Sequence, residues 1–195
     1  MERAGITARN FVPWKITMPD SSQETQNPLV DSVKSEWAHL LNEGFAKIEH
    51  CVRQLTEEQI WWRPAAGLYS IGNLMLHLAG NLQQWAIVSQ TNSPDLRNRA
   101  EEFSIREGLS REQLLERLGS VVVNAQQAIA EISFAELLRV REVQGFQVIG
   151  LQSISHTVTH FVGHSHQVVL LTRLQLTDRY KFHWTPDSPR DQVPI

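Results

Sequence analysis

A chain of 195 residues, 42% hydrophobic and 20% charged, is long enough for one domain with a sizeable core and too apolar to be mainly disordered. A net charge of −3, with no Lys/Arg-rich block, offers no electrostatic footprint for nucleic acid. The single cysteine, Cys51, excludes an intramolecular disulfide, and no stretch approaches the roughly eighteen uninterrupted apolar residues that read as a membrane span.

The first residues lack the apolar run of a signal peptide, so a soluble cytoplasmic protein without membrane partners is the default expectation. Residues 1–28 carry Pro13, Pro19, Pro28 and a polar string, and read as a flexible N-terminal arm that Phe11 and Trp14 would anchor. Helical periodicity then begins. Leu29, Val33, Trp37, Leu40, Leu41, Phe45, Ile48 and Val52 recur at three- and four-residue steps and predict an amphipathic helix ending near Gln54. His39, His50 and Cys51 lie on it; the histidines read as solvated or locally bonded, and the cysteine as a small buried hydrophobe. Thr56 and Gln59 form a capping-box signature, and Pro64 stops the segment they open. Trp61, Trp62 and Tyr69 around the following loop would either line a pocket or cap the core.

Ser70 is a good N-cap for a second helix running to about Ser89. Its apolar stripe is Ile71, Leu74, Met75, Leu78, Leu82 and Trp85. Beside that stripe runs a polar strip of Asn73, His77, Asn81 and Gln84. Residues 91–103 read as a polar linker, long for a connection between helices. Ser110 and Gln113 open a third, core-facing helix to about Ile132. From Arg139 to Gln144 polar and apolar residues alternate, and Gly145 follows, which reads as a short β-hairpin or an extended connection before the fourth helix. That helix spans about Gly150 to Leu176, and residues 181–195 form an irregular tail that its aromatics would pin to the body. The expectation is an all-α, up-down four-helix bundle over residues 29–180, with a long crossover between its second and third helices.

Four of the eight histidines, His156, His160, His164 and His166, fall within eleven residues of the fourth helix. At about 100° per residue, members four apart can share a face and reach one ion. The pair His160 and His164 is preferred, because Gly163 would leave room beside His164 and Gln167 lies one turn on to hydrogen-bond near it. Two ligands leave an ion under-coordinated, and His77, set between leucines on the second helix, is the best third. His156 then becomes a residue of the mouth and a weak catalytic candidate. The residues alone leave open both a metal site and a hydrogen-bonded polar seam.

Three segments resemble the DinB-like superfamily of metal-binding four-helix bundles, in particular a branch known as a domain of unknown function. They are Leu55 to Pro64, Ser70 to Asn81, and His160 to Gln167. The resemblance implies that one histidine of the second helix and two of the fourth, His77, His160 and His164, bind a divalent transition metal such as zinc, nickel or iron. The usual continuation after the last ligand is Arg-Gly-Gln. Here it is Ser165, His166 and Gln167, so no role resting on that arginine carries over. Relatives include transferases and isomerases dependent on low-molecular-weight thiols, and homodimers are expected at the level of the family.

Three histidines leave a coordination position open, where an ion can acidify a bound thiol or water. Thiol transfer to a small-molecule substrate and hydrolysis by metal-bound hydroxide are therefore the two enzymatic readings. No carboxylate is placed beside His77 or His160 as in His-Glu-x-x-His, which favours thiol transfer. A non-catalytic metal-binding or stress-related module is the competing class.

Overall fold

The computed structural model describes residues 27–91 and 93–183. The arm with Phe11 and Trp14, and the tail from Trp184 onward, lie outside the described residues.

Helix α1 (Pro28–Val52) starts with proline in its first turn, where a missing N–H costs nothing, and the Leu29 N–H donates to Asn27 Oδ1 at 3.1 Å. Capping boxes open three further helices. Thr56 and Gln59 close one at α2 (Glu57–Trp61), and Ser70 and Asn73 another at α3 (Ile71–Leu82). A short helix, α4 (Arg99–Ser104), follows within the stretch read as a linker. Ser110 and Gln113 then cap α5 (Arg111–Glu131). After α6 (Phe134–Leu138) come strands β1 (Val140–Val143) and β2 (Phe146–Ile149), which pair antiparallel with Val143 opposite Phe146. Gln144 and Gly145 both have positive φ, 52° and 80°, as a two-residue type I′ turn requires. Helix α7 (Gly150–Leu176) is the longest element.

α1 packs against α5 and α7, and α3 packs against the same two helices. Between them lie the fully buried side chains of Leu41, Ile48, Leu78, Leu82, Leu118, Ile129, Ile154 and Phe161. Each stabilises the fold by about 1.5–3 kcal/mol relative to exposure. The described residues are mostly helical with one small two-stranded sheet, and no helix among them is long and apolar enough to cross a membrane. Tyr180 packs on the core, while the Lys181 N–H donates to Gln54 Oε1 at 2.8 Å.

The second helix departs from the expected continuous run to Ser89. Its α-helical ladder ends at Leu82; residues 83–87 form a π turn and 88–90 a 3-10 turn. The carbonyl of Trp85 is instead satisfied by the hydroxyls of Ser89 and Ser153, at 2.5 and 2.6 Å. Hydroxyls competing for a helical carbonyl are one way an α-ladder is interrupted.

Candidate metal centre

α3 is buried on nearly every side, with eleven of its twelve residues covered. Its polar strip therefore needs partners, since an unpaired buried polar group costs about 1–3 kcal/mol. Each member has them. Asn73 Nδ2 donates to the carbonyls of Glu102 and Ile105 at 2.9 and 2.8 Å, and its Oδ1 accepts from Arg63 Nη2 at 2.7 Å. Asn81 Oδ1 accepts from the Thr157 hydroxyl at 2.6 Å. Gln84 Oε1 accepts from Arg97 Nη1 at 2.8 Å.

His77 points from this strip toward α7, where His160 and His164 stand one turn apart. Each of the three offers one ring nitrogen, and these nitrogens lie within 4.8 Å of one another. His77 Nε2 and His160 Nε2 are 2.8 Å apart. Two neutral lone pairs cannot face each other at that distance, so either one nitrogen carries a proton or both point at a common cation to the side of the line joining them. The His164 Nδ1–H donates to Gln167 Oε1 at 2.7 Å, as the spacing suggests, leaving the Nε2 lone pair for a ligand role. The donor set is three imidazoles, which suits first-row divalent ions. Burial strips water from His160, and the charges of His164, His77, His156 and Arg97 add to that, pushing its pKa down to about 3. Burial also lowers His164, against the hydrogen bond to Gln167. Both rings are thus neutral at physiological pH, the state in which imidazole binds metal.

His156 stands apart from the three. Its ring lies 4.3 Å from that of Trp85 and 5.7 Å from that of His160, centroid to centroid, and partial desolvation lowers its pKa. On the other flank Phe103 lies 4.8 Å from His77, and Tyr69 lies 4.2 Å from Phe103. The two tryptophans of the loop have other positions. Trp61 packs on the core and its indole N–H donates to the Leu109 carbonyl at 3.1 Å, while Trp62 is exposed. Apart from its chain neighbours Val162 and His164 and the helix's own backbone, a Cβ at Gly163 would meet nothing within 4 Å. Cys51 is buried, burial raises its pKa, and it takes no part in the site.

Sequence reading missed one residue group altogether. Glu102, on α4, places Oε2 3.0 Å from His77 Nδ1, and Arg97 donates to both carboxylate oxygens, at 2.7 and 2.8 Å. Burial works to raise the Glu102 pKa, but the hydrogen bonds from Arg97 and His77 outweigh it and hold the carboxyl below its ordinary range. A signal was present. Asn98, Glu101, Glu102 and Phe103 form a capped first turn with one apolar anchor, the pattern of a short docked helix.

Comparison with known proteins agrees with this architecture. Residues 28–187 match the family described as a protein of unknown function, DUF1572. A conserved protein from Enterococcus faecalis superposes with a TM-score of 0.59 at 20% identity, over 73% of this chain and 96% of the other. A DinB-like protein from Bacillus subtilis gives 0.58 at 12% identity, over 77% and 99%. Another DinB-like protein, from Bacillus cereus, gives 0.51 at 16%, over 68% and 85%. At such identities the likeness speaks to the fold. No curated protein matches the chain.

Proposed function

Because this chain belongs to the DUF1572 family and shares its fold with DinB-like proteins, we propose that His77, His160 and His164 bind one divalent transition-metal ion, zinc, nickel or iron, and that the protein transfers a low-molecular-weight thiol to an electrophilic small molecule. The observation that carries this reading is the convergence of three ligand nitrogens from two helices within 4.8 Å. When bound, such an ion acts as a Lewis acid that lowers the pKa of a thiol toward neutrality.

The residues of the chain account for the remainder. Three neutral imidazoles supply fewer ligands than a divalent ion accepts, which leaves a position for an incoming sulfur. His156, exposed and lying against the buried Trp85, and Phe103, lying against Tyr69, offer aromatic surface beside the triad for an apolar substrate body. The thiol gives up its proton to solvent, sulfur bonds to the electrophilic carbon, and the leaving group departs with the bonding pair. Glu102 is engaged by Arg97 and by His77 Nδ1, on the side of the ring away from His160. It is thus not placed as a base for an attacking water, which favours thiol transfer over hydrolysis.

Elemental analysis of the wild type beside His77→Ala and His160→Ala tests the site. About one equivalent of metal, lost in both variants, is the expected result; undiminished metal in either overturns the triad. Loaded protein is then offered an electrophile with a panel of cellular thiols. Acceleration by none of them would remove the transferase assignment and leave hydrolysis or a non-catalytic metal-binding module. We also propose that α1, α3, α5 and α7 form an up-down four-helix bundle, which their pairwise packing supports. A cytoplasmic homodimer completes the proposal, its mass to be read by sedimentation.

A further inference from the structure

Glu102 and Arg97 come from a stretch rich in charge, yet both side chains are more than nine-tenths buried. Burying a carboxylate costs several kcal/mol unless it is paired and hydrogen-bonded. Here both oxygens are engaged by one guanidinium, and the same guanidinium reaches Gln84. The pair is seated against α3 at Gly80. A Cβ at that position would lie 2.0 Å from Glu102 Oε1 and 2.9 Å from Arg97 Nε, so glycine alone leaves room for the carboxylate.

The proton on His77 follows from these contacts. Nδ1 lies 3.0 Å from Glu102 Oε2 and 3.1 Å from Arg97 Nη2. If Nδ1 were unprotonated, its lone pair would face a carboxylate oxygen, a repulsive arrangement. Arg97 Nη2 carries two hydrogens, and both have oxygen acceptors, Glu102 Oε2 at 2.8 Å and the His77 carbonyl at 3.4 Å, so it needs no lone pair on Nδ1. Nδ1 therefore carries the hydrogen and donates it to Glu102. The Nε2 lone pair is left facing α7, with His160 Nε2 2.8 Å away.

We propose that Glu102 is a positioning residue, which acts through His77 by fixing its Nδ1–H tautomer and aiming Nε2 at the two histidines of α7. Arg97 and Gly80 hold Glu102 where it can do so. This deepens the metal-binding reading, and its affinity arm rests on that reading, whereas its tautomer arm does not.

The test uses full-length protein with ¹⁵N-labelled histidine. Arg97→Met with Glu102→Leu removes both charges together and leaves no unpaired buried ion. Gly80→Ala keeps Glu102 but displaces it, and serves if the double variant does not fold. Imidazole ¹⁵N–¹H spectra of metal-free protein give the tautomers, and competition with a chelator gives the zinc Kd. In the wild type His77 is expected as Nδ1–H. In each variant the Nε2–H form should become populated and zinc affinity fall about 10–100-fold. A variant that retains wild-type tautomer and wild-type Kd overturns the proposal, as does a wild-type His77 in the Nε2–H form. Should wild-type protein bind no zinc while its His77 is Nδ1–H and shifts in the variants, the metal function fails and the positioning role stands.

Discussion

α3 and α5 are both long helices against the same core, and they pack in opposite ways. Six of the 21 residues of α5 are buried, all of them apolar, and most of its polar residues face water, with the half-buried Gln126 donating to the Ala38 carbonyl at 3.0 Å. α3 has α5 and α7 on two sides and the segment carrying α4 on a third, so its polar residues are enclosed as well. On α5 a polar side chain is a solvated surface with little consequence. On α3 it must find a specific partner, and the site residue His77 belongs to that set. Enclosure, more than composition, makes α3 the helix that can hold chemistry.

The sharpest way to break this comparison is to remove one amide from each helix. Asn73→Ala orphans the buried carbonyls of Glu102 and Ile105 and removes one partner of the capping box at Ser70. At about 1–3 kcal/mol for each orphaned group, a loss of about 3–5 kcal/mol is expected in urea unfolding. Gln127→Ala on α5 deletes a surface contact to Glu131 at 2.9 Å, and should change stability by no more than about 0.5 kcal/mol. Equal losses in the two variants would show that the enclosure of α3 carries no energetic consequence.

Acid separates the helices by a smaller amount. The folded pKa of His160, about 3, lies below its unfolded value near 6.5, so the unfolded chain binds the proton more readily. Stability is then full above about pH 6.5 and falls as pH drops from there toward 3, by at most about 1.4 kcal/mol per pH unit for one such group. Glu102 is also depressed, and its contribution is full above the unfolded carboxyl pKa and lost as the pH falls through its folded value. The buried face of α5 has no titratable group and adds nothing in either window. Urea midpoints at pH 8 and pH 5 should differ in the wild type and differ less in His160→Gln. An unchanged difference in that variant would place the acid sensitivity elsewhere.

How much of this was legible depended on range along the chain. The capping boxes at Thr56, Ser70 and Ser110 are satisfied within three residues, and the Gln144-Gly145 turn within two, so local chemistry specifies them. The apolar stripe of α5 was readable because solvent defines its opposite face. His77 could be singled out by its leucine neighbours. Glu102 could not, because its partners lie 25 residues back along the chain at His77 and five back at Arg97, and a glutamate beside another glutamate reads as solvated. The π turn escaped for the same reason, since the hydroxyl of Ser153 that helps to stabilise it arrives from α7.

Gly163 carries the contrast to the helix that α3 faces, with the smallest effect. Its backbone neighbours are the ligands' own turn, and the sequence invites the view that glycine is kept there to make room for His164. Beyond Val162, His164 and the helix's own backbone, a Cβ there would meet nothing within 4 Å, whereas one at Gly80 would strike Glu102. Glycine inside a helix costs about 0.5–1 kcal/mol relative to alanine through the freedom it retains when unfolded. Gly163→Ala should therefore raise stability by about that amount and leave zinc affinity unchanged, while Gly80→Ala weakens zinc binding. A loss of zinc affinity in Gly163→Ala would mean that α7 bends at this glycine when the triad closes on its ion.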